Sequence, residues 1–295
     1  MRSPYTVAPD GLRLAREYLE LPFPDSAPGS TRDPSVPVVF VSIDFENTSQ
    51  FVDSGPSIPI QLGVATLDTQ DFPTLDPKDI ISTFNFATGP SQSRYFNSAV
   101  TKFLFGETTQ ISYSDIVPKI KPYIPETRPT ILIGHDIAND LRVLQYLHFD
   151  LPKSVIGIID TMAVTSQVCS SKLRWSLRNV LEELQCTYNN LHSAGNDAHF
   201  TLRCLLLLVS RSVTVESVPK FQQRLKNLEE IGHSEIPKKE LPPTKAEKKR
   251  LKRLQRSRKH QAKTWDLETQ ERIRSERALK KREGALSHLS QDRLH

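Results

Sequence analysis

The sequence predicts an α/β domain built on a mixed sheet, and three observations carry that prediction. The run Val38-Val39-Phe40-Val41-Ser42-Ile43 is apolar and β-branched, the signature of a strand buried on both faces. Two further strand-like runs follow closely enough to pair with it as an antiparallel meander. Beyond residue 130, short apolar strands alternate with segments whose apolar residues recur at helical spacing.

Residues 1–36 read as an N-terminal appendage and linker. A short helix after Asp10 would carry Leu12, Leu14, Ala15, Tyr18 and Leu19, and Pro22, Pro24, Pro28 and Pro34 exclude its continuation. Residues 37–235 read as the folded domain. After its first strand, Ile60 to Leu67 forms a second and Ile80 to Phe86 a third. From Ala87 to Thr130 the signal is weak, apart from a helix starting near Ser114 with Ile116, Val117 and Ile120. Thr130 to Gly134 is a short buried strand, followed by a helix with Ile137, Leu141, Leu144 and Leu147 on one face. Val155 to Thr161 is the fifth strand. Helices follow over Ser176 to Leu184 and Asp197 to Val209, then one with Phe221, Leu225 and Leu228.

Composition divides the chain in two. The net charge of +5 hides 19 basic and 8 acidic residues from Ile236 to His295, against 20 and 26 before them, so an acidic body precedes a basic tail. Only 37% of residues are hydrophobic, which fits a tail outside the core. Cys169, Cys186 and Cys204 show no CxxC spacing, as in a reduced intracellular protein without a structural zinc. No apolar signal region or membrane-length run is present, so no membrane partner is expected.

The first strand ends in an anomaly, Asp44-Phe45-Glu46. With a period of two, both carboxylates point to one face, and carboxylates that close repel unless a cation lies between them. Asp140 breaks the apolar stripe of the helix after Gly134, and Asp197 does the same on the last long helix. His192 sits in the turn-forming segment just before Asp197, and an imidazole there is suited to take a proton from water. Taken singly, each has a bland explanation: a strand end in solvent, an acid in the first turn of a helix, a histidine in a surface loop. Four acids on three elements with a histidine beside the last are hard to explain as independent accidents.

Those residues resemble a known family. Asp44-Phe45-Glu46, then His135-Asp136-Ile137-Ala138-Asn139-Asp140, then His192-Ser193-Ala194-Gly195-Asn196-Asp197 are similar to the three motifs of the DEDDh 3′→5′ exonucleases, whose fold is ribonuclease H-like. Ile60 to Ala65, Asp160-Thr161 and the helix at Ser176-Leu177 fall where that family has its second strand, fifth strand and following helix, so the likeness spans Pro37 to Arg211. The wording of the second and third motifs further resembles a fungal branch named for supporting the full activity of a DEAD-box helicase of mRNA export.

The resemblance implies a ribonuclease H-like mixed sheet of five strands flanked by helices. It implies two divalent cations, Mg²⁺ or Mn²⁺, held by Asp44, Glu46, Asp140 and Asp197, with His192 as general base. It places Asn47, Thr48, His135 and Asp136 among the residues at the nucleotide. The activity implied is 3′→5′ hydrolysis of single-stranded RNA or DNA ends, in the cytoplasm or nucleus. The alternative is a non-hydrolytic nucleic-acid-binding or adaptor protein of the same fold, working beside an RNA helicase. The chain departs from the family at Asp136 and Asn139 in the second motif and at Gln61 in the second strand. An added carboxylate near a phosphate path repels substrate unless it is neutralised or turned away.

Residues 236–295 read as a basic helical or disordered tail. Thr244-Lys245-Ala246-Glu247 resembles a capping box, Gly284 a stop, and Glu268 with Arg272 and Glu276 with Lys280 are favourable i,i+4 pairs. Within Lys248-Lys249-Arg250-Leu251-Lys252-Arg253, residues Lys248, Lys249 and Arg250 are candidates for nucleic-acid contact; a nuclear import signal or a merely solvated helix are the other readings.

Overall fold

The computed structural model describes residues 5–21, 36–72, 74–170, 174–213, 221–239 and 274. Met1–Lys239 form one compact unit and Glu240–His295 another. Of the helix expected between Thr244 and Gly284 only Arg274 is described, in helical conformation; the rest, with Lys248, Lys249 and Arg250, lies outside the described residues.

Among the described residues one sheet runs through the first unit. Its strands are β1 (Val39–Glu46), β2 (Gln61–Asp68), β3 (Ile81–Ala87), β4 (Thr108–Gln110), β5 (Thr130–Gly134) and β6 (Val155–Asp160), in the order β4-β3-β2-β1-β5-β6. β1 pairs antiparallel with β2 and parallel with β5, which explains the apolar run: it is central, with strands on both edges and helices over both faces. β2 and β3 complete the antiparallel meander, while β4 and β6 add parallel edges. This is the mixed, ribonuclease H-like sheet the motifs implied, with six strands in place of the expected five. The extra strand, β4, pairs only through Asn85 to Ala87 and exposes Thr109 and Gln110, so it carries no apolar alternation to read.

The helices are α1 (Gly11–Tyr18), α2 (Thr48–Ser54), α3 (Arg94–Lys102), α4 (Ile116–Ile120), α5 (Ala138–Tyr146), α6 (Thr161–Val168), α7 (Leu177–Glu183), α8 (Ala194–Arg211) and α9 (Gln222–Gly232). The period of β1 divides the core. Val38 and Phe40 join a cluster with α1 and α8, whereas Val39, Val41, Ile43 and Phe45 join one with Ile137, Leu141 and Leu144. Fully burying side chains of this size contributes roughly 1.5–3 kcal/mol each. Ser42, Asp44 and Glu46 continue the face of Phe40, so the acids emerge on the α8 side, just past its apolar part.

Residues 5–21, expected within an appendage, pack into the domain. Ala15 and Leu19 are buried in the core, Leu14 lies against Gly157 and the Ala8 amide donates to the Ile158 carbonyl. Buried leucine on a short helix was the available signal, and the following prolines hid it.

α8 is buried along nearly its whole length, packed over β1 and β2 on one side and against α9 on another. Its one buried guanidinium is partnered: Arg203 donates to the Ser234 carbonyl at 2.8 Å and hydroxyl at 2.6 Å and lies 5.8 Å from the ring centres of Phe105 and Phe200. That anchor draws the segment after α9 onto the domain. His199 belongs to the same layer, stacked on Phe105 at 3.6 Å between centroids, with Nδ1 at 2.7 Å from the Thr83 hydroxyl.

Candidate active site

The four acids come from three elements, and each element is placed by local packing. Asp44 and Glu46 close β1, where Asp44 pairs with Gly63 on β2. Gly63 needs to be glycine because α8 begins directly over it: a Cβ there would stand 1.9 Å from the Ala194 carbonyl oxygen. Asn85 on β3 accepts from the Gly195 amide at 2.9 Å, fixing the same turn of α8 to the sheet. One turn later the helix presents Asp197 toward Glu46. Asp140 arrives from the other side, in the first turn of α5, and its Oδ1 accepts from the Phe45 amide at 2.8 Å. That bond ties α5 to the backbone between the two β1 acids.

Ligand atoms of Glu46, His192 and Asp197 all lie within 4.8 Å of one another, and His192 Nδ1 is 4.0 Å from Glu46 Oε1. Asp44 lies half-buried beside them and feels the charges of Asp197, Asp140 and Glu46. All four carboxyls are shifted upward, chiefly by burial; repulsion from neighbouring carboxylates adds to it for Asp44, Asp140 and Asp197, whereas His192, Asp197 and Lys102 partly offset it for Glu46, and Asp140 is pushed up to about 8. Such a cluster is unfavourable as four bare carboxylates. Asp44 Oδ2 and Asp197 Oδ1 are buried with no hydrogen-bond partner among the described residues. Two orphaned carboxylate oxygens in an oxygen-rich set are what hard divalent cations such as Mg²⁺ or Mn²⁺ bind, so the residues fit the pair of ions the motifs implied.

His192 is held by its backbone rather than its ring. Its φ is 62°, its amide donates to Asp197 Oδ2 at 3.0 Å, and its side chain is 79% exposed. Asn196, fully buried, locks the loop: its Oδ1 accepts from the Leu104 amide at 2.9 Å, and its Nδ2 donates to the carbonyls of Lys102 and Asn190 at 3.0 and 2.9 Å. Lys102 completes the junction, its Nζ lying 3.4 Å from the His192 carbonyl.

The remaining sequence candidates have other partners. Asp136, at φ 56°, forms an ion pair with Arg174, and its amide donates to Asp160. The extra carboxylate of the second motif is thus neutralised by an arginine. Asp160 also accepts from the Met162 amide at 2.9 Å and caps α6. His135 has both ring nitrogens engaged, Nδ1 with the Thr161 hydroxyl and Nε2 with the Trp175 carbonyl, each at 2.9 Å; burial lowers its pKa. Asn47 donates to the Pro59 carbonyl at 3.0 Å, and Thr48 is the first residue of α2. Asn139 is exposed, and Gln61 is buried near Tyr95, whose phenol is held above its usual range by burial and by the field of Glu46 and Asp44. Arg174, Lys102 and Tyr95 were not singled out from sequence. Arg174 sits between the fifth strand and the Ser176 helix with no apolar pattern around it, and the other two lie in the segment without readable periodicity.

Comparison with known proteins gives three findings. Residues 39–208, more than half the chain, match the family described as DNA polymerase III subunit epsilon-like, C-terminal domain, a DEDDh family. An uncharacterized nucleolar protein of Schizosaccharomyces pombe, C2C4.08, is 30% identical over 122 residues, which is 38% of this chain and 48% of that protein. The chain therefore spans about half the length of this curated relative. Exonuclease X in complex with 5′ overhanging duplex DNA aligns over 64% of this chain and 99% of its own at 14% identity, with a TM-score of 0.34. The family match spans all three motifs that place Asp44, Glu46, Asp140, His192 and Asp197, and the chain belongs to the DNA polymerase III epsilon-like family of the DEDDh exonuclease superfamily.

Proposed function

We propose that the protein is a metal-dependent 3′→5′ exonuclease acting on single-stranded or frayed ends of RNA or DNA. The observation that carries the reading is the convergence of four acids from β1, α5 and α8, Asp140 and Asp197 buried and Asp44 and Glu46 half-buried, with a histidine 4.0 Å from Glu46. Asp44, Glu46, Asp140 and Asp197 would hold two divalent ions. Such a pair, when bound, lowers the pKa of the attacking water and stabilises the leaving oxygen of an in-line phosphodiester displacement.

The chain's own residues supply the rest. The His192 imidazole, exposed and on a loop fixed through its amide to Asp197, takes the proton of the attacking water. Asn196 keeps that loop in register with α3. The Asp136 and Arg174 pair keeps the added carboxylate from repelling an incoming phosphate. No helix among the described residues is long and apolar enough to cross a membrane. The nucleolar description of the S. pombe relative favours a nuclear setting. The basic run at Lys248, Lys249 and Arg250 would retain the strand by sequence-independent attraction.

The test is incubation of 5′-labelled RNA and DNA strands with the full chain and Mg²⁺ or Mn²⁺. A ladder shortening from the 3′ end, absent from Asp44→Ala and His192→Ala proteins, supports the reading. No ladder with either metal, or one unchanged in both variants, removes it. The adaptor reading, favoured by the basic tail, predicts instead that removal of residues 236–295 abolishes RNA retention while the acid variants retain RNA like wild type.

A further inference from the structure

On the nuclease reading above, we propose that Lys102 is the substrate-binding cation of this site, its ammonium group taking a non-bridging oxygen of the nucleotide phosphate held at the acid cluster. Three observations place it there. Lys102 ends α3, and its backbone carbonyl accepts from Asn190 Nδ2 at 3.1 Å and Asn196 Nδ2 at 3.0 Å, so its Cα is fixed relative to the His192 loop. Its Nζ lies 3.4 Å from the His192 carbonyl, at the mouth of the cluster. Its positive charge acts on both Glu46 and Asp197. Arg174 is committed to Asp136 by its ion pair.

Charge balance gives the role. Four carboxylates and two divalent ions cancel, so the loaded site is neutral before substrate arrives. A phosphodiester adds a negative charge that grows as the attacking oxygen bonds to phosphorus, and a fixed cation at the mouth offsets it. A lysine ammonium has three donors, and its contact to the His192 carbonyl is at the long end of hydrogen-bond distances. It can turn from a neutral carbonyl to an anionic oxygen with a gain, because charge-assisted bonds are about twice as strong.

The experiment uses the full chain as wild type, Lys102→Met and Lys102→Arg, with three readouts. Mn²⁺ binding and adenosine 5′-monophosphate binding in the presence of Ca²⁺ are followed by calorimetry, and kcat and KM are measured on a 5′-labelled oligonucleotide. Lys102→Met should bind Mn²⁺ as tightly as wild type or more tightly, since a positive charge near the cations is gone. It should bind the nucleotide about tenfold to a hundredfold more weakly, as loss of a charged hydrogen bond implies. Lys102→Arg should recover most of that loss. Nucleotide binding unchanged in Lys102→Met overturns the proposal, as does a joint loss of Mn²⁺ and nucleotide binding, which marks a structural clamp. Wild-type protein that neither binds Mn²⁺ nor hydrolyses the strand removes both readings, whereas full activity in Lys102→Met removes this one alone.

Discussion

The α-carbon of Gly63 lies against the carbonyl of Ala194, so close that a methyl group at position 63 would stand 1.9 Å from the Ala194 oxygen. Gly63 is also the pairing partner of Asp44. One glycine therefore sets the distance between the strand that carries two of the acids and the helix that carries a third. The obstacle is backbone on a buried helix, which cannot swing aside as a side chain can.

Gly63→Ala should accordingly displace the start of α8. Overpacking of this kind costs about 1–3 kcal/mol, and a clash with backbone belongs at the upper end. The loss should appear as a lowered denaturant midpoint, together with weaker Mn²⁺ binding, because Asp197 moves with the helix. A Gly63→Ala protein with wild-type midpoint and Mn²⁺ affinity would show that α8 is not seated this closely.

Asp136→Asn tests the departure in the second motif. Asparagine tolerates the left-handed backbone at this position as aspartate does. The pair it breaks is partly solvated, with Arg174 72% exposed, and such pairs contribute up to about 1 kcal/mol. Stability should fall by no more than about that amount, and hydrolysis should stay within a few-fold of wild type. A large loss of activity would give Asp136 a role in the chemistry.

Asn196→Ala removes the amide that joins Leu104, Lys102 and Asn190. Leaving buried groups unpartnered costs about 1–3 kcal/mol each, so a loss of about 2–3 kcal/mol is expected in chemical denaturation. Because the carboxylates stay in place, Mn²⁺ affinity should hold while kcat falls, the signature of a misplaced base. Mn²⁺ affinity and kcat falling in equal measure would contradict a role confined to the His192 loop.

Burial pushes Asp140 up to about 8 from the ordinary 3.8. Between those values the folded protein holds a proton that the unfolded chain has released, so stability from this group is complete below the lower value and lost as pH rises through the upper one. The other three carboxyls shift in the same direction. A divalent ion must displace those protons, and it stabilises the ionised cluster. The rise in melting temperature on adding Mn²⁺ should therefore be larger at pH 8 than at pH 6. Equal rises at the two pH values would mean that the ion binds elsewhere.

What could be read from sequence follows from what each element buries. β1 and α8 are central, so their apolar runs are unmistakable, and the acids are visible because they interrupt them. The edge strand β4 and the short helices α2, α3 and α6 left little or no trace. α3 buries only Phe96 and Ala99, and Thr161, which opens α6, reads equally as the end of β6. The cost fell on the site: Lys102 and Tyr95 ride on α3, and the partner of Asp136 proved to be an exposed arginine with nothing in its neighbourhood to announce it. Hydrophobic period locates side chains that enter the core, while charge partners across loops depend on tertiary geometry that no local pattern carries.

The central claim is that carboxylates from β1, α5 and α8 share a pair of cations. Anomalous diffraction from crystals soaked in Mn²⁺ tests it most directly. Two peaks about 4 Å apart are expected, touched between them by Asp44, Glu46, Asp140 and Asp197. No peak at these four side chains, or a Mn²⁺ bound only elsewhere on the molecule, would contradict it.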